Sequence, residues 1–132
     1  MDNQLVRFET AKLAKEKGFR EYTPNCFDVE RSNAICNTGV NANEFSRVGN
    51  VSAPTQSLLQ KWLREKHNLH IEIYHHKLSS FNKEAGFRGL IYFMDNDHNS
   101  DGIHVWKDDK NMFKTYEEAL EIGLIEGLKL IQ

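Results

Sequence analysis

Within the segment SAPTQSLLQKWLREKHNLHIEIYHH, residues 52–76, the hydrophobic period changes from helical to alternating. Leu58, Leu59, Trp62 and Leu63 recur at helical spacing and make one narrow apolar stripe. The spacing predicts a helix over 54–67, with Pro54 in its first turn and Ser52 or Thr55 as its cap. Immediately afterwards the chain alternates strictly. Leu69, Ile71 and Ile73 fall on one face, and His70, Glu72, Tyr74 and His76 on the other, the pattern of a half-buried strand over 69–76. A striped helix and a one-sided strand each have a single face to bury, so the chain must fold as helices laid on a sheet.

The rest of the chain supplies the remaining layers. Leu5, Val6, Phe8, Ala11, Leu13 and Ala14 recur at helical intervals ahead of Gly18, which predicts a helix over 4–17 with a glycine C-cap. FRGLIYFM, residues 87–94, is apolar on both faces and suits a central strand, while IHVWK, 103–107, alternates again. In TYEEALEIGLIEGLKLIQ, Thr115 and Glu118 form a capping box, which predicts a helix over 116–131. Its main stripe is Tyr116, Leu120, Leu124, Leu128 and Ile131. Ile122 and Ile125 project among Glu117, Glu118, Glu121 and Lys129, a flank that suits either a further covering element or a dimer or partner contact. Gly123 and Gly127 cost helix propensity, about 1 kcal/mol each against alanine, and suggest that another backbone comes close. From Phe19 to Asn50, turn formers recur in TPN, RSN, NTG and NAN, so loops are expected, with short ribbon segments at Cys26–Val29 and Phe45–Val48. The expected architecture is α+β: a three-stranded antiparallel meander, about 69–76, 87–94 and 103–107, with helices packed mainly on one face.

Composition narrows the classes further. At 132 residues the chain suits a single domain, and 39% apolar with 27% charged residues lies far from the disordered regime. Seventeen Lys and Arg against 19 Asp and Glu leave a formal charge of −2, which offers no global attraction to nucleic acid or anionic lipid. Charges interrupt the first residues, DNQLVRFETAKLAKEKG, so neither a signal peptide nor a spanning helix is expected, and a cytosolic location is the expected one. Cys26 and Cys36 are too few for a disulfide framework or a zinc site and are read as thiols; no cofactor is expected.

The blocks FETAKLAKEKGF, APTQSLLQKWLREKHNLHIEI and TYEEALEIGLIEGLKLI resemble a family of small uncharacterised proteins in phages, prophages and genomes of Bacteroides-type bacteria, and cover 50 of the 132 residues. The resemblance implies a shared fold and a mobile-element setting, and no catalytic residue comes with it. Members of the family tend to be polar at the position of Ile125.

Two groups of residues can carry chemistry. In DNDHNSDG, residues 95–102, Asp97, Asn99 and Asp101 with Gly102 follow calcium-loop spacing, and Asp108 stands at the twelfth position. The loop lies between strands, however, and Asp108 replaces the longer bidentate glutamate, so a solvated turn is the favoured reading. The second group is the outer sheet face. If the odd-numbered aliphatics, Ile103 and Val105 included, face the helices, then His70, Glu72, Tyr74, His76, His104 and Trp106 face outward, joined by Arg88 and Tyr92. Such a surface could stack single-stranded bases, hold a metal between His70, Glu72 and His76, or dock a protein. Residues 19–50 folding over it would make it core instead. On the helix at 54–67, Gln60, Lys61, Arg64 and His67 form a candidate nucleic-acid face.

The chain contains no G-x-S-x-G elbow, Gly-rich phosphate loop or H-E-x-x-H. The expectation is a non-catalytic phage or prophage protein that binds a host protein, for instance a defence factor such as a CRISPR nuclease. Single-strand binding and metal binding are the alternatives, and a homodimer is compatible with the flank at Ile122 and Ile125.

Overall fold

A computed structural model describes residues 4–28, 34–37, 50–76, 86–94, 100–104 and 113–131; for Ala34, Cys36, Asn37, His76, Met94 and residues 100–104 it describes the backbone alone. The protein is α+β, and its residues gather into two compact units, 1–59 with 132, and 60–131. The boundary falls inside one helix.

In the first unit, α1 (Phe8–Glu16) is shorter than the helix predicted over 4–17. The difference has a tertiary cause. Val6 N donates to Pro54 O and Gln56 N to Gln4 O, and Leu5 bridges Thr55, so the residues ahead of Phe8 run as a strand beside 54–56. The other end of α1 matches the glycine signal. Gly18 N donates to Lys15 O at 3.2 Å and Phe19 N to Ala14 O at 2.9 Å, the paired bonds of a Schellman cap, with Gly18 at φ +99°.

Three short strands follow: β1 (Asn25–Asp28), which overlaps the ribbon segment expected at Cys26–Val29, β2 (Ala34–Asn37), which forms where a loop was expected, and β3 (Val51–Ser52), in the order β2-β1-β3. The expected ribbon segment at Phe45–Val48 lies outside the described residues. Phe8 meets Phe27 edge-on, 5.6 Å between ring centroids, which sets α1 over β1. Val6, Ala11, Ala14, Phe19, Phe27, Val51, Ala53 and Leu59 are buried in this unit.

α2 (Gln56–His67) starts two residues later than expected, because Pro54 is engaged by Val6 and Thr55 takes the cap, its hydroxyl accepting from Leu58 N at 3.1 Å. Asn68, at φ 54°, turns the chain directly into β4 (Leu69–His76). β5 (Gly86–Met94) pairs antiparallel with β4 along its length, and β6 (Ser100–His104) adds a shorter ladder on the other side of β5. Beyond that ladder, Phe113 exchanges both backbone hydrogen bonds with Phe87 and leads into α3 (Tyr116–Lys129). Thr115 caps α3, its hydroxyl accepting from Glu118 N at 3.1 Å, and Phe87 meets Tyr116 edge-on, tying the start of the helix to β5.

α3 lies on β4 and β5. Leu120, Leu124 and Leu128 are buried with Leu63, Leu69, Ile71 and Ile91 in this unit. Gly127 permits the approach: a Cβ there would come within 3.3 Å of Ile71 Cδ1 and 3.5 Å of Leu63 Cδ1, so side chains rather than a second backbone claim the space. Glu121, expected on the solvent side, is 1% exposed, and Ile122 and Ile125 are half-buried rather than projecting. Seven of the helix's fourteen residues are buried, wider than the single stripe read from periodicity. Among the described residues, no helix is long and apolar enough to cross a membrane.

Candidate functional site: the outer face of β4 and β5

Alternation along β4 and its register with β5 decide which residues share a face. His70 stands opposite Tyr92, Glu72 opposite Leu90, Tyr74 opposite Arg88 and His76 opposite Gly86. Even-numbered positions of both strands therefore lie on one side, and Leu69, Ile71 and Ile91, all buried, on the other. Arg88 and Tyr92 join Tyr74 as the parity predicts.

The side chains on this face are already tied together. The rings of His70 and Tyr92 stack, 5.2 Å between centroids and 10° from parallel. Tyr92 Oη donates to Glu72 Oε1 at 2.6 Å, so one tyrosine links a ring and a carboxylate of the neighbouring strand. This hydrogen bond, then burial, then the charge of the carboxylate hold the Tyr92 phenol above its usual 10.0. Burial foremost, and the positive charge of Arg64 second, push the His70 imidazole below its usual 6.5, with Glu72 pulling the other way. Tyr74, next along the strand, is 40% exposed. Of the large hydrophobic side chains described, only Tyr22, Ile35 and Tyr74 stand out as exposed, and the first two lie in the other unit.

β6 departs from the expected parity. Its ladder pairs Tyr92 with Ile103 and Ile91 with His104, and the register shifts between Tyr92 and Phe93. His104 thus takes a position on the helix-facing side and Ile103 one on the outer side. The strand begins at Ser100 rather than near Ile103, and in a period of two a one-residue difference in register exchanges the faces. Trp106 lies outside the described residues, as do Asp97, Asn99 and Asp108; Asp101 and His76 are described by backbone alone. Among the described residues, no group of three His, Cys, Asp or Glu side chains comes together as a metal site.

The second candidate face, on α2, is partly occupied by structure. Gln60 Nε2 donates to Ile71 O at 2.8 Å, and the His67 ring stands edge-on to Trp62, 4.7 Å between centroids. Lys61 lies 4.0 Å from Glu65, one turn along, which offsets its charge. Gln60 and His67 thus face the fold, and the basic face reduces to exposed Lys61 and Arg64.

The Tyr92–Glu72 link was not legible in the sequence, because the residues are 20 apart and a cross-strand pair exists only once register is known. No family model matches this chain, and no curated protein or solved structure matches it.

Proposed function

We propose that this chain acts by binding a protein partner through the outer face of the β4-β5-β6 meander, with Tyr74 at the centre of the contact, rather than by turning over a substrate. The mobile-element setting implied by the sequence blocks makes a host defence factor, such as a CRISPR nuclease, the partner class, and stoichiometric inhibition the mode of action.

The observation that carries the reading is an exposed tyrosine beside side chains already tied to one another. Tyr74 is 40% exposed beside the His70–Tyr92 stack and the Tyr92–Glu72 hydrogen bond. A tyrosine presents a large ring at low entropic cost, and neighbours already fixed lose little further freedom on binding. Protein is favoured over single-stranded nucleic acid because His70 and Tyr92 occupy each other's ring faces, and Glu72 places an exposed carboxylate where phosphates would approach.

The test is capture and titration with purified components. Tagged wild-type protein is expected to retain a host defence protein and to inhibit it with a one-to-one end point. Tyr74→Ala, with its thermal midpoint unchanged, weakens that complex by about 2 kcal/mol, roughly thirtyfold in Kd. Equal retention of the same partner by Tyr74→Ala would reject this face, and salt-sensitive retention of single-stranded oligonucleotides in place of protein would reject the partner class.

A further inference from the structure

β1 is the middle strand of the first sheet, and its register with β2 sets Cys26 directly opposite Cys36. These are the only two cysteines in the chain. Backbone bonding identifies the kind of pair. Ala53 N donates to Asn25 O at 3.0 Å, so the polar backbone groups of Asn25 face β3 and those of its neighbour Cys26 face β2. Cys26 and Cys36 are therefore a hydrogen-bonded antiparallel pair, with Cα atoms about 5.5 Å apart, inside the ~4.4–6.8 Å span of disulfides. Cβ atoms of such a pair stand toward the wide end of about 4.5–5.5 Å, beyond the ~3.5–4.5 Å span of relaxed bridges, so closure requires the strands to draw together there. A bridge closed here carries strain and is reduced more readily than a structural disulfide.

We propose that Cys26 and Cys36 form a reversible thiol–disulfide pair, oxidised by exchange with a low-molecular-weight disulfide of the glutathione class, that pins edge strand β2 to β1. Cys26 is 2% exposed, and we assign the first attack to Cys36. Its thiolate attacks the small disulfide, forming a mixed disulfide and releasing one small thiol. The Cys26 thiolate then attacks the Cys36 sulfur of that mixed disulfide, closing the protein bridge and releasing the second small thiol. Two protein thiols are oxidised and one small disulfide is reduced, and the two cysteine protons leave on the released thiols. The pair lies in the first unit, and its behaviour does not depend on the binding reading of β4 and β5.

The full chain is equilibrated with mixtures of oxidised and reduced glutathione and quenched with acid. Remaining thiols are alkylated, and intact mass, peptide map and amide exchange are read. With excess oxidised glutathione, the unalkylated chain is expected to become lighter by one hydrogen molecule and to yield a linked peptide containing Cys26 and Cys36. Amide exchange in Ala34–Asn37 is expected to slow, and dithiothreitol to reverse all three changes. Cys36→Ser should abolish both the mass loss and the slowed exchange. An end state of unchanged dithiol, stable glutathione adduct or intermolecular dimer would overturn the proposal, as would a mass loss that persists in Cys36→Ser.

Discussion

At the scale of single residues, two positions carry more of the fold than their size suggests. Gly18 ends α1 at φ +99°, a conformation that costs an L-residue about 1–2 kcal/mol, and nothing within 4 Å would obstruct a methyl group there. Gly18→Ala is therefore expected to destabilise the protein by about 1 kcal/mol through backbone strain alone, with Gly18→Asn milder, both read by urea denaturation. Tyr92 is the other. Because its phenol is held above 10.0 foremost by the hydrogen bond to Glu72, Glu72→Gln is expected to move the phenolate absorbance transition of Tyr92 down toward the ordinary value. Stability linked to this group is present below that value and declines as pH rises through the folded pKa, and the variant should lose part of the decline.

At the scale of elements, caps and one close packing contact set where helices begin and how near they lie. Thr115 accepts from Glu118 N, so Thr115→Ala is expected to cost about 1 kcal/mol and to fray the first turn of α3, a change seen as faster exchange of its early amides. The meeting of α3 with β4 tolerates little added volume. Gly127→Leu would drive a side chain into Ile71 and Leu63 and is expected to lower stability by about 2–3 kcal/mol, measured from the denaturation midpoint. Gln60 has a comparable place at the sheet edge. Its amide satisfies the Ile71 carbonyl on the side of β4 away from β5, which removes one open acceptor from an edge strand eight residues long.

At the scale of the whole molecule, stability should track the protonation of two histidines. Burial lowers His67, and burial with Arg64 lowers His70, so the folded state binds fewer protons than the unfolded chain just below 6.5. Stability is then full above that value and lost as pH falls through the depressed folded values. Urea midpoints taken from about pH 8 to about pH 5 are expected to decline, and the double variant His67→Gln, His70→Gln to decline less steeply. The division into two compact units also bears on how such data are read. Probes in α1 and in α3 report on different units, and coincident transitions would show that the two unfold together.

Local pattern determined a good deal by itself. The alternation from Leu69 to His76, the stripe of α2, the caps at Gly18 and Thr115 and the α+β class all follow from bonds and burial within a few residues of one another. Tertiary structure decided what depends on distant partners. Residues 4–6 have helical periodicity yet pair with 54–56, and Glu121 has a polar side chain yet is buried. β2 forms where turn formers suggest a loop, and β6 takes a register that moves His104 to the helix-facing side. The physical reason is common to all of these: a cap or a stripe is an interaction along the chain, whereas a ladder register is fixed only when another strand supplies the opposing hydrogen bonds.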